Sequence, residues 1–490
     1  MKHWKFFLVL FLRKVYEEKM SDSNSPFERT RIELPRRGLS RRQFIYTTAL
    51  AASTLAVSSY ALPRPKRKSP NEQLDVGIIG VSGKGGQDSK SIGVTENIVA
   101  LCDVDADSLA AAHEKWPKAR VYTDYREMIE KEKTVDAVTV SIPDHQHAPA
   151  AMLAIKSGKG VYCQKPLTHT VSEARALTLA ARKYKVPTQM GNQGHSSSDI
   201  RKLCEMIWSG AIGPVREAHC WTNRPIWPQG RQRPAGSDPV PTKLDWDKWL
   251  GPAPERPFVS NWPDRTDSNG HTRKGESVYH PFTWRGWWDF GCGALGDMAC
   301  HVMDGANWAL KLGAPTSVEV IEASPIMAEM APQWSVIKYT FPARGDMPAC
   351  TLTWYDGGKL PERPKEMEGE FGSSGTIFIG DKGKMRCGEY CDHPKLLPES
   401  TMVDYKAPEQ TIPRVPEDSP YLDFIRACKG GPAACSNFDV SGPFTEIVLL
   451  GNLALRLGKK IEWDSKHMRA KGLPEADQFI HGKYRKGWTV

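Results

Sequence analysis

The chain has 490 residues, a hydrophobic fraction of 40% and a formal net charge of +9. That length suffices for two domains, and no apolar run is long enough to cross a bilayer as an ordinary membrane helix. Residues 1–61 hold 11 basic and 5 acidic side chains, so the remainder, with 55 and 52, has a net charge of only +3. This balance excludes the basic surface of a nucleic-acid-binding protein.

The N-terminal segment has the features of an export signal. Ser40–Ile45 reads Ser-Arg-Arg-Gln-Phe-Ile, an apolar segment continues to Val57, and the residues at 59–61 offer a small-x-small cleavage site. This order is typical of the twin-arginine route, although a chance arginine pair before an amphipathic helix has the same pattern. We predict that residues 1–70 are a signal and tether outside the fold, and that the protein is periplasmic or otherwise exported.

A buried strand and a glycine-rich turn begin the folded part of the chain. The aliphatic run at 74–79 suits a strand of a parallel sheet, and Gly80 and Gly85 fit the frame G-x-G-x-x-G, in which Ser82 replaces the middle glycine. Backbone N–H groups of such a turn bind a pyrophosphate, unless the pattern is an ordinary strand and turn. We predict five cofactor-binding residues here: Gly80, Ser82, Gly83, Lys84 and Gly85.

Asp103 bears on the choice of cofactor. It ends the second apolar run, 23 residues after Gly80, near the spacing at which an acid reaches a ribose 2′-hydroxyl. Because its charge would repel a 2′-phosphate, we predict that Asp103 binds the cofactor and that the cofactor is NAD rather than NADP.

Alternating strands and helices continue to Met190. Apolar runs at 137–142, 160–163 and 186–190 alternate with helical segments, and Thr170 with Glu173 predicts a capping box for the last helix. This order predicts a doubly wound parallel sheet, a Rossmann domain over residues 71–190, with ligands at the carboxyl ends of the strands. Residues at or just after such ends are therefore predicted to bind the cofactor: Ser141, Pro143, Asp144, His147, Gln164 and Lys165.

The pattern changes at residue 191, where a second α/β domain is predicted to begin and to extend to residue 490. A Pro- and Trp-rich stretch to about Trp288 predicts loops, and the later strands are typical of an open, mainly antiparallel sheet. We expect a helix near 443–457 to pack back on the Rossmann domain. The predicted strands of this domain lie at 215–221, 316–323, 335–341, 349–355 and 375–380.

Eleven cysteines are scattered through the chain without a C-x-x-C pair. Zinc ribbons and thioredoxin chemistry are therefore not expected, and we predict no metal site. Cys387 and Cys391 could form a disulfide in an oxidising compartment, but the spacing alone does not determine the pairing.

Six motifs in this order resemble those of the Gfo/Idh/MocA oxidoreductases, the family of glucose–fructose oxidoreductase and inositol dehydrogenase. The resemblance runs from about Val76 to Leu457, and it is closest to exported members that share the tryptophan-rich block Trp284–Gly291. Two departures are Ser82 and Gln164, the latter standing where the family usually has Glu before Lys-Pro. The matching motifs are Gly80–Gly85, Cys102–Asp105, Pro143–His147, Gln164–Pro166, Gly191–His195 and Gly293–His301.

Oxidation of a secondary alcohol needs a base for the hydroxyl proton and a cation near the oxygen. Asp297 and His301 are four apart on a probable helix, so the imidazole could accept the proton while the carboxylate orients it. Lys165 could hydrogen-bond the substrate oxygen, and the family's matching Lys, Asp and His have such catalytic roles. The alternatives are a helix-face hydrogen bond or a metal pair for Asp297 and His301, and a surface position for Lys165.

The remaining site predictions concern the far side of the cleft. Asn192 is predicted to lie against the cofactor, and Gln193 and His195 to lie near the nicotinamide ribose and the substrate. Ten of sixteen tryptophans lie between Trp208 and Trp308, and flat rings cover the apolar faces of sugars, although core packing explains most of them. The other residues predicted to bind a carbohydrate are His280, Trp284, Arg285 and Trp288.

Three functions agree with these features. The first is an exported oxidoreductase with a tightly retained NAD, acting on a secondary hydroxyl of a sugar or sugar derivative. The second is an NAD-dependent glycoside hydrolase or lyase that works by transient oxidation and elimination. The third is a nucleotide- or sugar-binding protein without turnover, which the combination of Lys165, Asp297 and His301 disfavours. The open sheet also predicts a homo-oligomer.

Overall fold

The computed structural model describes residue 69 and residues 71–266 and 272–490. The predicted twin-arginine signal lies outside these residues. The described residues belong to one compact unit, and they contain no helix that is both long enough and apolar enough to cross a membrane.

A six-stranded sheet forms the amino-terminal half. Its neighbouring strands are all parallel and lie in the order β3-β2-β1-β4-β5-β6. The strands are β1 (Asp75–Ile79), β2 (Asn97–Cys102), β3 (Arg120–Tyr122), β4 (Ala137–Val140), β5 (Gly160–Cys163) and β6 (Thr188–Met190). The helices between them are α1 (Gly83–Ile92), α2 (Ala106–Lys115), α3 (Tyr125–Lys131), α4 (Asp144–Lys156) and α5 (Val171–Tyr184).

Burial and capping explain why these segments form. All four residues of β4 and of β5 are buried, as expected for strands covered by helices on both faces. The predicted capping box is present, since the Thr170 hydroxyl accepts the Glu173 N–H and the Glu173 carboxylate accepts the Thr170 N–H at 2.8 Å. Alternating strands and helices thus produce the predicted Rossmann topology.

Within the described residues, the second sheet has nine strands in the order β15-β14-β13-β7-β12-β11-β10-β16-β17, and β7 with β12 is its single parallel pair. This agrees with the predicted open, mainly antiparallel sheet. Its strands are β7 (Val215–Thr222), β10 (Ser317–Ala323), β11 (Ser335–Phe341), β12 (Cys350–Tyr355), β13 (Ser374–Gly380), β14 (Gly383–Cys387), β15 (Lys395–Leu397), β16 (Ile461–Asp464) and β17 (Arg469–Ala470). A separate hairpin pairs β8 (Arg265–Thr266) with β9 (Thr272–Arg273).

Seven helices accompany this sheet and its insertions: α6 (Ser198–Trp208), α7 (Trp246–Leu250), α8 (Gly293–Val302), α9 (Asp304–Ala309), α10 (Pro420–Cys428), α11 (Phe438–Leu457) and α12 (Asp477–Ile480). Helix α11 begins five residues before the expected start at Pro443. The Asn437 side chain accepts the Asp439 N–H at 2.9 Å, so a polar cap starts the helix and Pro443 lies inside it.

Helix α11 packs on α5 of the Rossmann half, as expected. Gly442 permits the close approach of α11 to α5, because a Cβ at this position would lie 1.9 Å from the Thr178 Oγ1. Arg175 donates two hydrogen bonds of 2.6 Å to the Glu446 carboxylate across the same contact. This contact joins the two halves of the molecule behind the cleft described below.

The tryptophan-rich insertion forms its own aromatic core. Trp249, Trp287, Tyr279 and Phe290 are buried in one cluster, with further apolar residues around them. Five of the ten tryptophans between Trp208 and Trp308 therefore pack the core of the insertion: Trp246, Trp249, Trp262, Trp284 and Trp287. All eleven cysteines lie among the described residues as free thiols, Cys387 and Cys391 included.

Candidate active site

A cleft of about 990 Å³ lies at the carboxyl ends of the parallel strands. Its floor comes from Gly80 after β1, Asp103 after β2, Ser141 after β4 and Gln164 after β5. The opposite wall comes from the second half of the chain. This volume is at the upper end of the range for ligand pockets, about 300–1,000 Å³.

The glycine-rich turn is shaped by close backbone approach. Gly80 has a φ of +82°, and a Cβ there would lie 2.3 Å from the Ser141 carbonyl oxygen; a Cβ on Gly85 would lie 1.9 Å from the Gly80 oxygen. Gly83 has a φ of +52° and only open space around its missing Cβ. Since Ser82 makes no side-chain cap at the start of α1, the first N–H groups of the helix are free to bind an anion, and the turn fits a pyrophosphate.

The two departures from the family pattern have local explanations. Ser82 has a φ of −106°, which any L-residue adopts, so the backbone conformation at this position does not require a glycine. The Gln164 amide donates to the buried Asp88 carboxylate at 2.8 Å, where a glutamate would place a second negative charge. Asp88 also accepts from Ser141 at 2.7 Å and pairs with Lys84, so the carboxylate links the turn to the ends of β4 and β5.

Asp103 lies at the nucleotide end of the cleft. It accepts the N–H groups of Val81 at 2.9 Å and Asp105 at 3.0 Å, and burial raises the pKa of its carboxyl group. His280 also lies here, because its Nε2 is 2.9 Å from the Asp105 Oδ2. The His280 side chain therefore lines the cleft beside the predicted ribose site, hydrogen-bonded to Asp105, and its contact with a sugar stays a prediction.

Lys165 and Asp297 meet at the opposite end of the cleft, although 132 residues separate them. The Lys165 Nζ donates to the Asp297 carboxylate at 2.8 Å and to its carbonyl oxygen at 2.6 Å, and Arg285 Nε donates to the same carboxylate at 3.3 Å. Burial alone would raise the pKa of Asp297, but the charges of Lys165 and Arg285 lower it to about 2. The carboxylate is therefore ionised at neutral pH.

His301 lies one helical turn from Asp297 on α8 and is 4% exposed. Burial lowers the pKa of its imidazole to about 3, and the charge of Lys165 acts in the same direction. Its Nδ1 has no hydrogen-bond partner among the described residues. Asp297 binds Lys165 and Arg285 rather than the imidazole, which corrects the prediction that this carboxylate orients His301. The ring is therefore neutral at physiological pH and is a weaker base than a free imidazole.

Asp144 is a second acid in the same part of the cleft. It is 4% exposed and accepts the Cys292 N–H at 3.1 Å. Burial raises the pKa of Asp144 to about 7, even though Arg285 and Lys165 favour its charged form.

His147 follows on the same helix, and its ring nitrogens lie 2.7 Å from the Ile142 oxygen and 2.8 Å from the Pro166 oxygen. It thereby joins the loops that carry Asp144 and Lys165.

Four residues predicted to bind a ligand do not line the cleft: Gly85, Asn192, His195 and Trp288. Gly85 supports the turn from behind. Asn192 and His195 both bind the buried Asp304 carboxylate at 2.9 Å, which fixes the short 3₁₀ turn that presents Gln193 to the cleft. Trp288 is buried against Arg456, with 5.5 Å between the guanidinium and the ring. The side chains of Asn192, His195 and Trp288 point into the packed core, whereas Gly85 has no side chain and lies against the Gly80 oxygen.

The other predicted residues do line the cleft, Gln193 and Trp284 among them. Arg285 lies 4.3 Å from the ring centres of both Phe282 and Trp284, which makes a flat, charged surface beside Asp297. Several wall residues come from distant segments and were not predicted from the sequence: Tyr125, Arg224, Lys243, Lys248, Trp249, Phe282, Met298, Glu389, Tyr390 and Trp488. No local motif marks them, apart from Gly293–His301, which contains Met298, and the position of Tyr125 just after the end of β3.

Comparison with known families agrees with this architecture. Residues 74–192 match the family model described as an oxidoreductase family with an NAD-binding Rossmann fold, and residues 217–490 match its C-terminal alpha/beta domain. The chain belongs to the Gfo/Idh/MocA oxidoreductase family. Its amino-terminal domain is the NAD-binding Rossmann domain of that family, in agreement with the predicted cofactor.

Curated relatives match only part of the chain. Inositol 2-dehydrogenase of Salmonella typhimurium is 30% identical over 151 residues, which are 30% of this chain and 45% of the relative. D-apiose dehydrogenase of Paraburkholderia graminis is 32% identical over 116 residues, 24% of this chain and 31% of the relative. The matches thus span about half the length of these relatives or less.

Solved structures share the fold over most of the chain. The WlbA dehydrogenase of Bordetella pertussis, in complex with NADH and UDP-GlcNAcA, has a TM-score of 0.55 at 16% identity and covers 80% of this chain and 99% of its own. Levoglucosan dehydrogenase, in complex with NADH and levoglucosan, has a TM-score of 0.53 at 16% identity, with 80% and 100% coverage. At such identities the comparison shows the fold alone.

Proposed function

We propose that this protein is an NAD-dependent oxidoreductase that acts on a secondary hydroxyl of a sugar or sugar derivative. The observation that carries the proposal is the meeting of Lys165, Asp297 and the neutral His301 in one cleft with the nucleotide turn. The nicotinamide of NAD, when bound, supplies hydride acceptance and donation. Inositol 2-dehydrogenase and D-apiose dehydrogenase among the relatives, and levoglucosan dehydrogenase among the solved structures, suggest a polyol or sugar substrate.

We assign a different role in the reaction to each residue according to its charge. His301 is neutral, so it takes the hydroxyl proton during oxidation and returns it during reduction. Lys165, held by Asp297, donates a hydrogen bond to the substrate oxygen and stabilises the negative charge that develops there. Arg285, with Trp284 beneath it, offers a donor and a flat face for a sugar ring.

The test is turnover by the purified protein with candidate sugars, polyols and aryl glycosides, followed in the absorbance band of reduced nicotinamide. We expect this band to grow or bleach without glycoside cleavage. Glycoside cleavage without a net change in cofactor would instead support the redox-neutral hydrolase or lyase. If no substrate gives either result, both enzymatic functions are contradicted.

The Lys165→Met variant tests the catalytic assignment. We expect kcat/KM to fall by at least about 100-fold, because a preorganised donor to the developing oxyanion is lost. Lys338→Met, which removes a lysine from β11 in the nine-stranded sheet, is the control and should retain full activity. Unchanged turnover by Lys165→Met would overturn the assigned mechanism.

We also propose that the protein is exported by the twin-arginine route and works as a homo-oligomer. The support is the sequence Ser40–Ile45 for export, and for self-association the exposed side chains on the sheet, including Ile321 at 54% exposure on β10. Light scattering of the purified protein tests the second point, and a strictly monomeric mass would contradict it.

A further inference from the structure

The adenosine end of the cleft has walls that the Rossmann sheet does not provide. Strand β3 is the outermost strand, so the sheet ends beside Thr123–Tyr125. On the sheet side this part of the cleft is lined by Asp103, Asp105 and Tyr125. The facing wall consists of residues from two distant segments: Lys243, Lys248 and Trp249 of the insertion and Trp488 of the C-terminal tail.

The insertion is tied to the loop after β2, which carries the ribose-binding candidate Asp103. The Asp245 N–H donates to the Val104 oxygen at 3.0 Å, and the Ala106 N–H donates to the Lys243 oxygen at 2.8 Å. The His280 pair with Asp105 adds a side-chain link. The segment 241–250 therefore lies directly across the mouth of the nucleotide end.

The tail is tied to the insertion in turn. Arg485 donates its backbone N–H to the Pro252 oxygen at 2.9 Å, and its guanidinium donates to the Gly251 oxygen at 3.0 Å and the Asp247 oxygen at 2.8 Å. These bonds hold the tail against the insertion and place Trp488 in the wall of the cleft.

Trp488 completes an aromatic and cationic surface at this end. It is 8% exposed, its ring centre lies 6.1 Å from that of Tyr125, and the Arg126 guanidinium lies 4.1 Å from its ring centre. The Tyr125 hydroxyl is buried without a hydrogen-bond partner among the described residues. Aromatic rings with unsatisfied polar groups suit a purine nucleoside, which has a flat face and several hydrogen-bonding atoms.

We propose that segment 241–250 and tail 484–488 form a clasp that retains the adenosine part of NAD. The cofactor then leaves slowly, because departure requires the tail to detach from the insertion and Trp488 to leave the wall. The inference rests on NAD binding by the Rossmann domain, not on the identity of the substrate. Slow release suits an enzyme that works where free NAD is scarce.

The test is the dissociation rate of NADH, measured by its fluorescence after dilution into excess NAD. We expect release at least about tenfold faster from Trp488→Ala and from Arg485→Ala, a change in the off-rate of the kind that most binding mutations produce. Trp208→Ala, which removes a half-exposed tryptophan from α6 outside the cleft, is the control and should keep the wild-type rate. Equal NADH dissociation rates in the wild type and all three variants would overturn the proposal of a clasp.

A second measurement does not depend on any variant. Hydrogen–deuterium exchange of the wild-type protein should show the amides of residues 484–488 better protected with saturating NADH than without it, because the bound adenosine would hold the tail in place. The same protection in both states would contradict the proposal. Since both readouts follow cofactor binding, they stand whether or not a sugar is the substrate.

Discussion

Single residues set the protonation pattern of the cleft. Burial lowers the pKa of His301 and raises the pKa of Asp144. The carboxyl groups of Asp144 and Asp297 lie near the same two cations, Lys165 and Arg285. The His301 imidazole is therefore neutral at physiological pH, Asp297 is ionised, and Asp144 changes charge near neutrality. Such contrasting environments are typical of catalytic sites.

Asp144→Asn should remove a pH-dependent step from catalysis. In the wild type, ionisation above about pH 7 adds a negative charge near Lys165, Arg285 and Asp297. Because Asp144 and His301 line the same cleft, we expect this charge to favour the protonated form of His301. We expect kcat/KM for alcohol oxidation to rise through about pH 7 in the wild type and to lack this rise in the variant. A retained inflection in Asp144→Asn would show that another group titrates there.

The Asp144→Asn variant should also differ from the wild type in the pH dependence of its unfolding free energy. The folded-state pKa of Asp144, about 7, exceeds the unfolded value of roughly 3.9, so the wild type loses stability as pH rises through this window. Asp144→Asn should gain unfolding free energy relative to the wild type between about pH 4 and pH 7 in urea titrations. If the difference in unfolding free energy between the variant and the wild type stayed constant across that pH range, the raised pKa of Asp144 would be contradicted.

Gly83→Ala should weaken nucleotide binding without unfolding the protein. The methyl group would enter open space in the cleft, where the turn is predicted to bind phosphate, and alanine at the positive φ of this position costs about 1–2 kcal/mol. We expect NADH affinity to fall at least about tenfold. Gly210→Ala, with φ +82° and open space outside the cleft, is the control for backbone strain; equal NADH affinity in both variants would contradict the role of the turn.

At the scale of elements, the contact between α5 and α11 holds the two halves in register. It combines a glycine, a hydroxyl and a two-bond ion pair, none of which lies in the cleft. The cleft has one wall from each half, so the separation of Lys165 and Asp297 depends on this packing. We therefore expect changes in this contact to alter the geometry of the cleft.

Gly442→Ala should destabilise the fold by about 1–3 kcal/mol, because its Cβ would overlap the Thr178 hydroxyl. Adding Thr178→Ala makes room, so the double variant should lose less than the sum of the two single changes in urea unfolding. Gly458→Ala, just after the same helix with open space around it, is the control for the added methyl, although its φ of +59° carries a modest cost. Strict additivity would contradict the proposed clash.

At the scale of the whole molecule, residues 1–61 have a net charge of +6, from 11 basic and 5 acidic side chains, whereas the remainder has a net charge of only +3. If export follows the twin-arginine route, the protein crosses the membrane already folded, and a clasped cofactor would travel with it. Export, retention and catalysis are then connected properties of one polypeptide.

Replacing Arg41 and Arg42 by lysine should therefore stop export, because the receptor reads the arginine pair itself rather than its charge. The expected result is loss of the protein from the periplasmic fraction and accumulation of the uncleaved form in cells. The neighbouring pair Arg36 and Arg37 offers a matched control, since the same substitution there should leave export intact. Normal export of the first variant would contradict this route.

The sequence by itself determined the Rossmann topology, the nucleotide turn and the positions of Lys165 and His301. Local patterns were sufficient there, because parallel strands bring their carboxyl ends to one edge and a spacing of four puts Asp297 and His301 on one side of α8. The second sheet was also predictable in type, since its strands are separated by turn-rich segments.

Only the tertiary structure decided which residues meet in the cleft. Asp297 binds Lys165 instead of His301, His280 lies at the nucleotide end, and Trp488 reaches the cleft from the last residues of the chain. Trp288 and His195 point into the core, although their motifs suggested a ligand. The physical reason is that these contacts join segments more than one hundred residues apart, and long-range packing leaves no local periodicity in the chain.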